Sequence, residues 1–224
     1  MVKKSLIIGK GQIGTSLQKV LKCDIRDKEP LEGEYDILHI AFPYSKNFVK
    51  QVKSYQKYYQ PKYTVIHSTV PVGTSKKCNA YHSPVRGMHP KLEESMRVFT
   101  TYLAPPSAYL KKYFESAGMQ VKLLKNPENT EAGKLWSTTA YGWNIILQKE
   151  IYRYCKENNL DFDIVYKSFT ESYNSGYKEL GRENVTRPVL RQIEGPIKGT
   201  CIIPNCKLLR DKVSETILKF NKEY

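Results

Sequence analysis

Apolar and polar positions follow two different regimes along this chain. From residue 4 to about residue 125, short apolar runs alternate with segments whose apolar positions recur at helical spacing. Ser5-Leu6-Ile7-Ile8 and Ile37-Leu38-His39-Ile40-Ala41 are near-continuous apolar runs, the pattern of strands covered on both faces. Lys22 to Ile25 and Tyr63 to His67 read as further strands, and Val98 to Leu103 and Val121 to Leu124 are expected to complete the same sheet. Helices are predicted after the first run, through about Leu21, and from about Lys46 to Tyr58. Strands and helices in strict alternation predict a doubly wound parallel sheet over residues 1–125.

The second regime begins at Asn126. Asn126 can cap a helix that has Pro127 at its first position and Glu128 and Glu131 near its positive end. Leu135, Trp136, Thr139, Trp143, Ile146, Leu147, Ile151 and Tyr154 then recur at helical spacing, which predicts one long helix to about Cys155. Lys134 precedes Thr138 by one turn and Tyr141 by two, so the three share a face. A helix is expected from Asp163 to Ser172, a polar break over Tyr173 to Tyr177, a glycine- and proline-rich loop from Gly195 to Cys206, and a final helix from Lys207 to Lys219. Residues 126–224 are thus expected to form a smaller, all-helical domain built on the long helix.

With 224 residues, 40% of them hydrophobic, the chain can bury a core. No apolar run reaches membrane-spanning length, so no membrane partner is expected. Five scattered cysteines favour a reducing compartment, here the cytoplasm, over a disulfide framework. Neither the cysteines nor the four histidines have metal-ligand spacing, so no metal is expected. The net charge of +14 fits an anionic small-molecule substrate. Nucleic acid is not the expected partner, because the basic residues are distributed along the chain without a recognisable basic helix. Aromatic residues all round the long helix exceed what a small domain can hide, which predicts a homodimer.

Chemistry concentrates at strand ends. Gly9-Lys10-Gly11-Gln12-Ile13-Gly14 follows the first strand and opens the first helix. In such a G-x-G-x-x-G turn the first glycine makes the bend, the second admits a pyrophosphate and the third lets helix and strand approach, while the N–H groups of Gln12 and Ile13 face the anion. Asp24, after nine intervening residues, is the candidate for the adenosine ribose, with Asp27 as the fallback. An acidic residue there favours NAD by repelling a 2′-phosphate, although Arg26 could accept one, which leaves NADP open. Pro43 ends the third strand and Ser68 and Thr69 end the fourth, and all three are candidate cofactor contacts.

The glycine turn, the segment Ser68-Thr69-Val70-Pro71-Val72-Gly73-Thr74, the pair Glu131-x-x-Lys134 and the segment Gly199-Thr200-Cys201-Ile202 occur in the order found in UDP-glucose/GDP-mannose dehydrogenases. The chain resembles that family, within the wider 6-phosphogluconate-dehydrogenase-like superfamily. The resemblance implies a Rossmann domain and an NAD-dependent oxidoreductase acting on a CH–OH group of a small or phosphorylated, sugar-like substrate. It implies Cys201 as a nucleophile that traps an aldehyde, Lys134 as its oxyanion partner, Thr138 beside them, and Asn205 and Tyr141 as substrate contacts. The chain departs from the family in having Thr138 for an asparagine, Asn205 for an aspartate, Val85 for a glutamate and Thr200 for a glycine, and in lacking the third, nucleotide-sugar-binding domain. These departures point to a two-electron reaction instead of oxidation to the acid. They also fit a non-catalytic, dinucleotide-binding relative with a regulatory or structural role.

Overall fold

A computed structural model describes residues 4–224. The chain forms two compact units, the first ending at Leu135 and the second running from Trp136 to Tyr224.

In the first unit, strands β1 (Ser5–Ile8), β2 (Asp24–Arg26), β3 (Ile37–Ile40), β4 (Tyr63–Ile66) and β5 (Tyr81–His82) make a parallel sheet of order β2-β1-β3-β4-β5. Helices α1 (Gln12–Leu21), α2 (Phe48–Tyr59) and α3 (Thr74–Lys77) connect them. The apolar runs sit where burial on both faces demands them. Leu6, Ile8, Leu38 and Ile40 point into one core with Phe48 and Val52 of α2. Their neighbours Ile7 and Ile37 point into the other with Leu17 of α1. This is the period of two that a strand imposes. Strand order reverses between β1 and β3, so the chain diverges from that point and leaves a crevice beyond the carboxyl ends of the two strands.

The rest of the first unit corrects one expectation. After α4 (Leu92–Val98), strands β6 (Thr101–Leu103) and β7 (Val121–Leu123), separated by α5 (Ala108–Ser116), pair with each other in a second, two-stranded parallel sheet. Among the described residues their backbone link to β5 is an antiparallel bridge between His82 and Ala104, just after β6. The reason is chemical. In an antiparallel ladder the next hydrogen-bonded pairs would be 84 with 102 and 80 with 106, and both Pro84 and Pro106 lack the N–H to make them.

The long helix α6 runs from Pro127 to Glu157 with proline in its first turn. In the second unit a π-helical segment, Asp163–Ser168, continues directly into α7 (Phe169–Glu179). The expected break at Tyr173 to Tyr177 is therefore helix. Tyr173 and Tyr177 stack one turn apart, and Asn174 does not compete for its own backbone, because its amide is tied to both backbone groups of Arg187. The expected final helix is two helices, α8 (Ile202–Leu209) and α9 (Lys212–Phe220). Arg210 adopts a left-handed conformation, and Asp211 with Ser214 forms a reciprocal cap that starts a new helix. Ile146, Cys206 and Ile217 form the small core of this unit.

Candidate functional site

The glycine turn has the geometry its sequence requires. Gly9 has φ +112°, and a Cβ there would lie 2.9 Å from the carbonyl carbon of Ala41. A Cβ on Gly14 would lie 1.8 Å from the Gly9 carbonyl oxygen, so only glycine lets α1 pack this close. A Cβ on Gly11 meets nothing within 4 Å. Gly11 is the N-cap of the ten-residue α1, which has no side-chain cap and no acidic residue in its first turn. The helix start, with the backbone of Gln12 and Ile13, is thus bare, positive and approachable, the environment an anionic group needs.

Of the two candidate acids, Asp27 lies at the cleft and Asp24 at the far end of the strand. The register pairs Leu6 with Asp24 and Ile8 with Arg26, which puts Asp24 at the entrance of β2, away from the crevice. There its carboxylate accepts the Tyr35 hydroxyl at 2.8 Å. Asp27 follows the strand end, level with the glycine turn, and accepts the Lys10 N–H at 3.4 Å. With Gly9, Lys28, Phe42, Pro43, Gln51 and Tyr55 it lines a cleft of about 290 Å³ at the β1/β3 divergence. Arg26 is committed elsewhere. Its guanidinium donates to the Tyr59 hydroxyl and to the carbonyls of Asp27 and Lys28, and lies over the Tyr55 ring.

Pro43 is thus in the cleft wall, and Ser68 braces it from behind. The Ser68 hydroxyl donates to the Phe42 carbonyl at 2.6 Å and is itself buried, which makes it a tie between the ends of β3 and β4. Thr69 is half-buried beside it. The loop that follows is held by a residue whose role its spacing did not disclose. Both carboxylate oxygens of the fully buried Glu131 accept backbone N–H groups, from Gly73 at 2.6 Å and from Ser75 at 2.7 Å. Burial pushes the Glu131 carboxyl up, against the opposite pull of Ser75 and Gly73.

Lys134, one turn further along α6, donates to the Val85 carbonyl at 2.9 Å. Val85 thus meets the lysine through its backbone. Three histidines also converge in this unit. His67 Nδ1–H donates to the Ser83 carbonyl at 2.7 Å, which leaves Nε2 to accept from His39 Nδ1–H at 2.9 Å. His39 Nε2 then accepts from the Tyr113 hydroxyl, 2.7 Å from Ser5 Oγ. His82 bridges Thr130 and the Ser68 carbonyl. All three rings are buried. Burial pushes His67 down to about 4 and His82 to about 3, and burial together with His67 holds His39 well below its ordinary value.

The second unit brings together three of the residues expected at the site. Asn205 donates its amide N–H to the Thr138 hydroxyl at 2.9 Å, and Cys201 begins the same helix one turn earlier, exposed, with its carbonyl accepting the Asn205 N–H. Tyr141 is exposed on α6, one turn beyond Thr138. Lys149 is buried and holds the 193–195 segment by donating to the carbonyls of Ile193 and Gly195. Among the described residues no helix is long and apolar enough to cross a membrane.

No family model and no curated protein matches the sequence. Solved structures do match. A UDP-D-ManNAc dehydrogenase from Pyrococcus horikoshii superposes with a TM-score of 0.73 at 14% identity, over 98% of this chain and 68% of its own. A 3-hydroxyisobutyrate dehydrogenase from Mycobacterium tuberculosis, with L-serine, superposes with a TM-score of 0.70 at 10% identity, over 100% of this chain and 94% of its own. Psf3 in complex with NADP+ and 2-OPP gives 0.55 at 13% identity, over 97% and 93%. The chain shares the fold of these proteins, with a Rossmann-type parallel sheet in its first unit.

Proposed function

We propose that the chain is an NAD-dependent oxidoreductase that acts on the alcohol or carbonyl group of a small, anionic, sugar-like substrate. The observation that carries this reading is the bare start of α1 beside the open Gly11, with Asp27 at the neighbouring strand end. NAD would supply hydride exchange. Gly11, Gln12 and Ile13 would hold its pyrophosphate and Asp27 its ribose hydroxyls. With Asp27 in that place and Arg26 turned inward, a 2′-phosphate meets a negative charge and no free guanidinium.

Lys134 is the proton-handling group of this proposal. In the oxidising direction it would take the hydroxyl proton as a hydride passes to NAD from the carbon that bears that hydroxyl, and in the reducing direction it would return the proton to the oxygen. Asn205 cannot act as a base, so the reaction proposed stops after two electrons.

Fluorescence titration with NADH tests the reading. Micromolar binding is expected, with Asp27→Ala weakening NADH by about tenfold or more, as befits loss of a charge-assisted hydrogen bond. NADPH binding should fall less. Failure of both dinucleotides to bind would end the proposal. Cofactor binding without turnover of any alcohol or carbonyl panel, unchanged by Lys134→Ala, would leave the non-catalytic reading in its place.

The assembly proposed is a homodimer. On α7 of the second unit, Phe169, Tyr173 and Leu180 are at least half exposed and line a groove of about 550 Å³ with Ser172, Gly176 and Tyr177. An apolar stripe of this kind on a soluble protein calls for cover, and a second copy supplies a matching stripe. Sedimentation at micromolar concentration should give a dimer, and Phe169→Glu combined with Leu180→Glu a monomer. A monomeric parent chain would refute the assignment.

A further inference from the structure

Between Asp36 and Glu93 the sequence contains no acidic residue and nine lysines and arginines, so this stretch alone carries +9 of the formal +14. The fold gives that excess a direction. On α2, Lys50, Lys53 and Lys57 are all exposed and, at ~100° per residue, fall within an arc of about 60°. Exposed Lys46, just before the helix, continues the line. The opposite side of α2 carries the buried Phe48, Val52 and Tyr59. Gln56 donates to the Cys78 carbonyl at 2.9 Å, which brings the end of α3 alongside, with Lys76 and Lys77 exposed on it. Lys53 is close enough for its charge to act on the Cys78 thiol.

Among the described residues, none of the four lysines from Lys46 to Lys57 has an acidic partner on this face. Lys76 alone reaches one, Glu128, at the limit of an ion pair, 4.0 Å. Like charges spaced three and four apart on a helix repel, so the arrangement costs stability unless an anion covers it. Gln51 and Tyr55, which face the dinucleotide cleft, lie on another side of the same helix.

We propose that the outer face of α2, with the adjoining end of α3, binds the phosphate backbone of a single-stranded nucleic acid. The composition of the face selects this class over an acidic protein. Lysines are depleted from the centres of protein–protein interfaces, and this face offers no apolar anchor around which such an interface could be built. It offers instead a line of flexible point charges, with Tyr58, 61% exposed and braced edge-on against Tyr59, about 100° round the helix from Lys57 on the flank of that line. Lysines that track phosphates beside an aromatic ring that stacks a base are the elements of sequence-tolerant single-strand binding.

The test is fluorescence anisotropy of the full chain with labelled 20-nucleotide single-stranded DNA and RNA. Heparin and phosphatidylserine vesicles serve as alternative polyanions. Binding is expected at 50 mM salt and should weaken by about 20- to 100-fold at 200 mM, the slope for roughly three to five neutralised phosphates on a single strand. Lys50→Glu/Lys53→Glu/Lys57→Glu should abolish binding, and the milder triple glutamine variant should weaken it at least tenfold. Both should leave NADH affinity and the circular dichroism spectrum unchanged, which separates loss of the face from loss of the fold. Tyr58→Ala should weaken oligonucleotide binding several-fold while sparing heparin. The proposal is overturned if no oligonucleotide binds at 50 mM salt, if the glutamine variant binds as the parent does, or if vesicles bind and oligonucleotides do not.

Discussion

Acidification from pH 7 to pH 5.5 will remove about 4 kcal/mol of folding stability from the three buried histidines of the first unit. His39, His67 and His82 are neutral in the fold and their folded values all lie well below the ordinary 6.5. The unfolded chain binds a proton at each as the pH falls through 6.5, and the folded chain does not. The stability they contribute is therefore complete above the unfolded value and declines as the pH falls toward the folded ones. Each group costs about 1.4 kcal/mol at one pH unit below its unfolded value. The opposing group is Glu131, whose raised folded value makes the native state take up its proton earlier and returns part of the loss. Urea denaturation followed by circular dichroism at half-unit pH steps measures the slope. His67→Asn should flatten it by about a third, and a curve level between pH 7 and 5.5 would show that the rings are not held neutral.

Glu131→Ala is the second large effect, about 2–5 kcal/mol of lost stability. The substitution orphans two buried backbone N–H groups, those of Gly73 and Ser75, each worth about 1–3 kcal/mol when left unpaired. The loop from Ser68 to Thr74 should loosen with them, so NADH affinity should fall although Glu131 is not assigned to the cofactor. Glu131→Gln keeps the shape and one acceptor and should lose about half as much. Equal stability of the alanine variant and the parent would show that the clamp is not what fixes this loop.

The sheet was legible in the sequence where the physics is local. Continuous apolar runs at β1 and β3 admit only a strand covered on both sides, and the turn between β1 and α1 needs glycine at Gly9 and Gly14. What the sequence could not show is register. Counting from the glycines reaches Asp24, but the pairing of Leu6 with Asp24 puts the strand end two residues later, at Arg26, with Asp27 just beyond it. The same limit applies to β6 and β7, whose apolar character marks them as strands without saying which partner they take. At Tyr173 to Tyr177 polar residues mimic a break, because the tether from Asn174 to Arg187 is formed by residues thirteen apart. The histidines were invisible for a related reason. A polar residue inside an apolar strand reads as an interruption until its partners on neighbouring strands are known. Thr138 and Asn205, by contrast, were named from two distant segments and share a hydrogen bond.

The prolines that stop the bridge between His82 and Ala104 also govern how the molecule can associate. β5 is the outer strand of the sheet, and an outer strand with vacant donors and acceptors is a template on which foreign chains can polymerise. Pro84 takes a donor out of that rim just past β5, and Pro106 takes one out of the segment that bridges it at Ala104. A regular backbone ladder at this border is therefore interrupted after one bridge, and strand-by-strand growth from it meets a missing hydrogen atom at the next position.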